Sequence, residues 1–325
     1  MTYSFTAIVL ALFTLLTVPA TAQDSYPSKP VTLVVPSPAG GTTDVVARIF
    51  AKKLQELLGQ PFLVDNRSGA NGYIGTLSVL RSPKDGYQLV VMSGSLHSYT
   101  PAMVEKMPFD PIEDFALVSR LISYPFVLVT SSKLPFQSFA DIVKAGKEPG
   151  SKLSYGSYGI GSSPHLITEW IKLRTGIDAV HVPYKGGGQA ATDSISGQIS
   201  MMFASLPAAA SQIKAGQVRA LGMTSARPNK AFPNVPAVAE SIPGFEATSW
   251  LGLAAPRGTP VSVTEKLRKA LEIAAKDTAI VSQLETLGAD PYIDASAKEF
   301  YDFLLGEKKK WDGVVRDAKI SKEKE

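Results

Sequence analysis

Few residues in this 325-residue chain could do covalent chemistry, and none stand at a spacing that would let them. The three histidines, His97, His165 and His181, share no metal-ligand spacing such as His-x-x-x-His. Cysteine is absent, so thiolate nucleophiles and disulfides play no part. There is no Gly-x-Ser-x-Gly nucleophile elbow and no Gly-Lys-Ser/Thr phosphate loop. Gly156-Ser157-Tyr158-Gly159-Ile160-Gly161 has its glycines in the wrong order for a dinucleotide fingerprint. Asp and Glu are too common for a catalytic carboxylate pair to be read from sequence. The absent motifs argue against an enzyme, a cofactor and a metal.

What remains is binding chemistry, in loops of Gly, Ser and Thr. Pro38-Ala39-Gly40-Gly41-Thr42-Thr43-Asp44 is one, and Tyr155 to His165 is the other, with Pro164 at a plausible first helical position. Glycine lets the backbone approach a ligand closely, and a following helix offers unpaired N–H groups with partial positive charge. Such loops suit an anion without a buried cation. The plainer reading is that both are ordinary tight turns. Asp44 either caps its helix or touches ligand. His165 follows a helix-starting proline and could face a cleft. Lys185 is read as a solvated or hinge charge, since a lone ammonium in a closing cleft carries a desolvation penalty. The formal net charge of +4 favours anions weakly and gives no case for nucleic acid.

These loops must sit between strands and helices. Val31–Val35 reads as a buried strand, and Val45, Val46, Ile49, Phe50, Leu54, Leu57 and Leu58 as one face of the helix after the first loop, stopped by Gly59. Phe62–Val64 and Gln88–Met92 read as further strands. From Ala116 to Thr130 the chain reads as extended, broken at Pro125, where it crosses to a second lobe. There the alternation resumes: a strand at Leu153–Tyr155, a helix carrying Leu166, Ile167, Trp170 and Leu173, strands at 179–182, 201–204 and 218–223. Trp170 is read as core; Trp250 lies where a return strand meets the hinge. Three helices near 261–276, 280–287 and 297–317 close the chain. This is an α/β pattern of two lobes, residues 23–124 with 247–325 and residues 125–246.

Compartment is read from the first residues. An apolar run from Ile8 to Val18 ends in Pro19-Ala20-Thr21-Ala22-Gln23. That is the form of a signal peptide over 1–22 with cleavage before Gln23, and it falls short of the roughly 18 to 20 apolar residues of a spanning helix. The mature chain is expected to be periplasmic.

An ordered series of motifs resembles the Bug-type substrate-binding receptors of tripartite tricarboxylate transporters. It comprises Pro38 to Asp44, Asn66-Arg67-Ser68-Gly69-Ala70-Asn71-Gly72, Lys84-Asp85-Gly86-Tyr87, Gly156 to Leu166 and Val182-Pro183-Tyr184-Lys185-Gly186. Gly197-Gln198-Ile199, Arg219 to Ser225 and Trp250 to Pro256 complete it. The resemblance covers the mature chain and implies a type II periplasmic-binding-protein fold, two Rossmann-like lobes around a ligand cleft. It implies a monomeric receptor passing a di- or tricarboxylate, aromatic carboxylate or acidic amino acid to the small and large membrane subunits of a transporter. A periplasmic ligand sensor is the alternative, with a hydrolytic enzyme a distant third. The implied ligand wall is Ala39, Gly40, Gly41, Thr42, Thr43 and Asp44 from the first lobe, with Ser93 and Ser95. Opposite stand Gly159, Ser162, Ser163, His165, Ala204 and Ser205. Two stretches depart from the family pattern: Ser93 to Tyr99, and Gly186-Gly187-Gly188-Gln189 where Pro-Ala is usual.

Overall fold

The computed structural model describes residues 26–317 and 319–322, so the expected leader and its cleavage site lie outside the described residues. In the first lobe β1 (Val31–Val35) pairs in parallel with β2 (Phe62–Asn66) and β3 (Gln88–Ser93). β9 (Thr248–Pro256) then joins antiparallel between β3 and the long strand β4 (Phe115–Ser131). β1 is buried at four of its five positions, as a parallel strand covered on both faces must be.

One face is covered by α1 (Thr42–Leu58), which buries Val46, Phe50 and Leu54 one turn apart and ends at Gly59 in the left-handed region. Leu57, expected on that face, turns out to be 36% exposed because it lies off the 46–50–54 row. The other face receives α2 (Tyr73–Leu80) and the C-terminal helix, which packs Phe300 and Leu304 beside Trp250.

β4 belongs to both lobes. Its first half pairs with β9 as far as Pro125↔Thr248, and its second half pairs with β7 (Met201–Ser205) and β8 (Val218–Met223). The expected break at Pro125 is absent. Proline offers no N–H, but the next residue, Phe126, donates its own to Thr224 Oγ1 at 2.8 Å, so a side chain replaces the missing ladder partner. Beyond β7 the sheet continues in parallel through β5 (Ser154–Ser157) to β6 (Val180–Pro183). A two-residue β10 (Asp290–Pro291) flanks β4 on the first lobe.

The remaining helices are α3 (Thr100–Met103), α4 (Phe139–Lys147), α5 (Ser163–Thr175), α6 (Gly187–Ser196), α7 (Leu206–Lys214), α8 (Val261–Ala275), α9 (Thr278–Thr286) and α10 (Ala297–Asp317). On α5, Leu166 and Ile167 are buried and Trp170 packs on Phe245 at 4.4 Å, but Leu173 is 47% exposed, one turn past the covered face. α10 places the fully buried Trp311 edge-on to Trp170 of the second lobe, with ring centres 5.8 Å apart. No described helix is long and apolar enough to cross a membrane.

Candidate functional site

Two helices, α4 and α9, are capped by side chains, whereas α8 opens at Pro260 with no side-chain cap. Ser138 Oγ accepts from Asp141 N–H at the start of α4 while Asp141 accepts from Ser138 N–H, and Asp277 accepts from Ala279 and Ile280 N–H at α9. The three helices that follow the Gly- and Ser-rich loops also lack side-chain caps. Gly41 before α1, Ser162 before α5 and Ser205 before α7 provide no side-chain cap. A helix leaves its first N–H groups without intrahelical partners, so each of these ends presents donors and positive potential.

Two of the three ends meet. Thr42 Oγ1, on the first residue of α1, lies 3.1 Å from Ser205 Oγ, so the serine directs its hydroxyl to the opposite lobe. Ser205 N–H is taken at 3.0 Å by the hydroxyl of Tyr158. Tyr158 fits because position 187 is glycine: a Cβ there would stand 3.2 Å from the tyrosine ring. Of the three glycines only Gly187 is close to another group, since a Cβ at 186 or 188 would meet nothing within 4 Å. Thr100 Oγ1 reaches across to Gly161 O at 3.5 Å, bringing α3 up to the α5 loop.

Within the first loop Gly40 holds φ +81, and its N–H donates to Asp44 Oδ2 at 2.8 Å. Asp44 also pairs with Arg48 at 2.9 Å. Burial opposes its charge, but hydrogen bonds from Arg48, Gly40 and Asn66 outweigh that and hold the carboxyl below the usual range. Asp44 thus reaches back to brace the loop, one residue outside the helix. Ala39 and Gly40 are exposed, and Gly41, Thr42 and Thr43 half-buried. The backbone carbonyl and N–H of Ser93 face His97 Nδ1, at 3.2 and 3.4 Å, and its hydroxyl accepts from Leu96 N–H at 3.4 Å. Ser95 opens a five-residue π turn, Ser95–Tyr99. Burial pushes His97 down to about 4, with Ser93 O opposing, among Phe109, Phe115 and Trp250.

On the second lobe, Ser162 donates to Gly159 O at 2.6 Å and His165 Nδ1 accepts from Gly161 N–H at 3.2 Å. Ser163, Ala204 and Ser205 are buried. Lys185 is exposed. Sequence reasoning passed over Tyr158, Thr100 and Tyr124. Burial, with Ser249 opposing and Tyr158 adding to it, pushes the Tyr124 hydroxyl up to about 12. A tyrosine between Ser157 and Gly159, and another before Pro125, were the available signals. A cavity of about 350 Å³ opens elsewhere, between Ser123, Pro125, Arg227, Lys230, Glu246 and Asp290. It shares no residue with the loops above, and Tyr124 lines it.

The model of the tripartite tricarboxylate transporter family receptor matches residues 46–320. The chain belongs to this family. Family members are solute-binding receptors, not enzymes. The receptor is 36% identical to Protein BugT of Bordetella pertussis over 299 residues, 91% of each chain. Among solved structures it is similar to Rpa4515 of R. palustris with adipate, at 33% identity and TM-score 0.87 over 91% of this chain and 99% of that one. It is similar also to MatC from Rhodopseudomonas palustris with bound malate, at 28% identity and TM-score 0.82 over 89% and 100%. The receptor thus has the two-lobed periplasmic-binding fold.

Proposed function

We propose that the protein is an exported monomeric receptor whose lobes, residues 23–124 with 247–325 and residues 125–246, close on a small carboxylate. It would deliver that carboxylate to the small and large membrane subunits of a tripartite transporter. The observation that carries the reading is the meeting of uncapped helix ends at Thr42 and Ser205. Donors already oriented by backbone geometry suit a carboxylate, whose oxygens only accept. Arg48 is occupied by Asp44 and Lys185 is exposed, so the anion is held by N–H groups, hydroxyls and water. The adipate and malate held by two relatives favour an aliphatic dicarboxylate over an aromatic one.

Calorimetry with a dicarboxylic acid, its half-amide and Lys185→Ala tests this. Replacing one carboxylate by a primary amide sets NH₂ against a site of donors, leaving polar groups unsatisfied at about 1–3 kcal/mol each, beside the lost charge-assisted bonds. A loss on the order of 10²-fold is expected for the amide. Lys185→Ala should lose little. A lysine variant that loses as much as the amide would show that the site is anchored by a cation.

A further inference from the structure

Two imidazoles stand behind the Ser157–Ser162 turn. His181, on β6, lies against Tyr155 of β5 with ring centres 4.7 Å apart and planes 11° apart. His165, in the first turn of α5, stacks on the same imidazole at 4.1 Å and 10°. His181 Nε2 is 2.7 Å from Ser157 Oγ, and that hydroxyl donates to Gly159 O at 3.0 Å while accepting from Gly159 N–H at 3.1 Å. When the hydroxyl proton is directed to Gly159, Ser157 accepts from His181 in its Nε2–H tautomer. At the far end of the turn Gly161 N–H donates to His165 Nδ1, so that nitrogen carries no proton. Gly159 and Gly161 have φ of +118 and +77. Glycine leaves such values almost freely, so the turn needs an external hold.

We infer that His165 and His181 are positioning residues for carboxylate binding, clamping the two glycines of this turn while both rings are neutral and releasing it when the pair takes up a proton. The inference rests on the carboxylate reading of the site. A proton on His165 Nδ1 would set donor against donor at Gly161. A charged ring would also face its stacked neighbour and the positive end of α5. The groups facing the pair include Tyr155 from β5 and Glu169 and Lys172 from α5. Glu169 is already shared by the Tyr155 hydroxyl at 2.6 Å and Lys172 Nζ at 2.9 Å. Burial pushes His181 down to about 4; His165 and Lys172 act in the same direction and Glu169 opposes. A base held below its ordinary value favours the native turn at neutral pH. That preference is lost as pH falls from its ordinary range near 6.5 towards about 4.

The test titrates adipate and malate by calorimetry against wild type, His181→Ala, His181→Gln and a His165→Gln, His181→Gln double variant at about pH 7.5 and about pH 5. Alanine should weaken binding about tenfold at the higher pH. Glutamine keeps an N–H for Ser157 but cannot gain a charge, so it should recover most of that loss and show a flatter pH profile than wild type. Matching pH profiles for wild type and the His165→Gln, His181→Gln double variant would overturn the clamp. NMR on ligand-free protein separates this from failure of the binding reading. If neither acid binds yet the Gly159 and Gly161 amide resonances move as His165 and His181 titrate, the carboxylate reading fails and the clamp holds. Glycine amides that stay fixed through the titration refute the clamp, whatever binds.

Discussion

At Gly40 the backbone sits at φ +81, a value that L side chains rarely adopt, with nothing within 4 Å of where a Cβ would stand. Gly41 beside it has φ −77 and ψ 170, which any residue accepts, and a Cβ there would meet only Pro38 O at 3.6 Å. Gly40 is therefore glycine for the backbone, whereas Gly41 is free to be glycine for the ligand. Gly41→Val should leave the melting temperature within a few degrees of wild type, because no backbone strain or clash is created. It should abolish carboxylate binding by filling the space over the helix end. Calorimetry on the folded variant checks this, and unchanged affinity would remove the first loop from the site. Residue types in these loops were legible because Gly, Ser and Thr announce close backbone approach. Side-chain direction was not. Asp44 was read as a helix cap or a ligand contact and His165 as able to face a cleft; in the structure each accepts an N–H of its own loop, and Tyr158 packs close to Gly187, distant in sequence.

Among the elements, β1, β8 and α10 keep the bounds that hydrophobic pattern and punctuation imply, since local signals decide them. β4 does not, because what carries it through Pro125 is the hydroxyl of Thr224, a partner no local pattern reveals. The Ser95–Tyr99 turn and α3 were missed for a related reason: a Ser- and Pro-containing stretch reads as loop until His97 and Thr100 fold back on Ser93 and Ser95. β4 is tied to the C-terminal segment by Arg120. Its backbone N–H donates to Asp294 Oδ2 at 2.8 Å and its Nε to Oδ1 at 3.0 Å, and the guanidinium lies 3.9 Å from the Tyr292 ring and 3.8 Å from Phe303. Asp294 is fully buried. Asp294→Ala strands a buried guanidinium, so it should lower unfolding free energy by about 3–5 kcal/mol in denaturant titrations. The exposed Lys298–Asp302 pair makes the comparison: Lys298→Ala should shift it by less than about 1 kcal/mol. Equal effects would mean that Arg120 is solvated in the native state.

For the molecule as a whole, the alternation of strands and helices was enough to indicate two α/β lobes, and the ordered motifs enough to indicate the receptor family. Ligand identity was not legible, because a site of backbone donors has no side-chain code to read. Export belongs to this scale too. Protein recovered from the periplasm should begin at Gln23, since Ala20-Thr21-Ala22 presents small residues where the peptidase needs them. N-terminal sequencing decides it, and a membrane-retained full-length product would contradict secretion. The contact between Trp311 and Trp170 has its own consequence. One indole rides on the helix that closes the first lobe and the other on the first long helix of the second, 5.8 Å apart and nearly perpendicular. Trp250 is buried beside Phe300 within the first lobe. Under the proposed closure, the ultraviolet emission of the Trp311–Trp170 pair should change on carboxylate binding, since its geometry spans both lobes. The protein carries its own optical gauge of closure, and a chain without cysteine leaves any engineered thiol free to calibrate it.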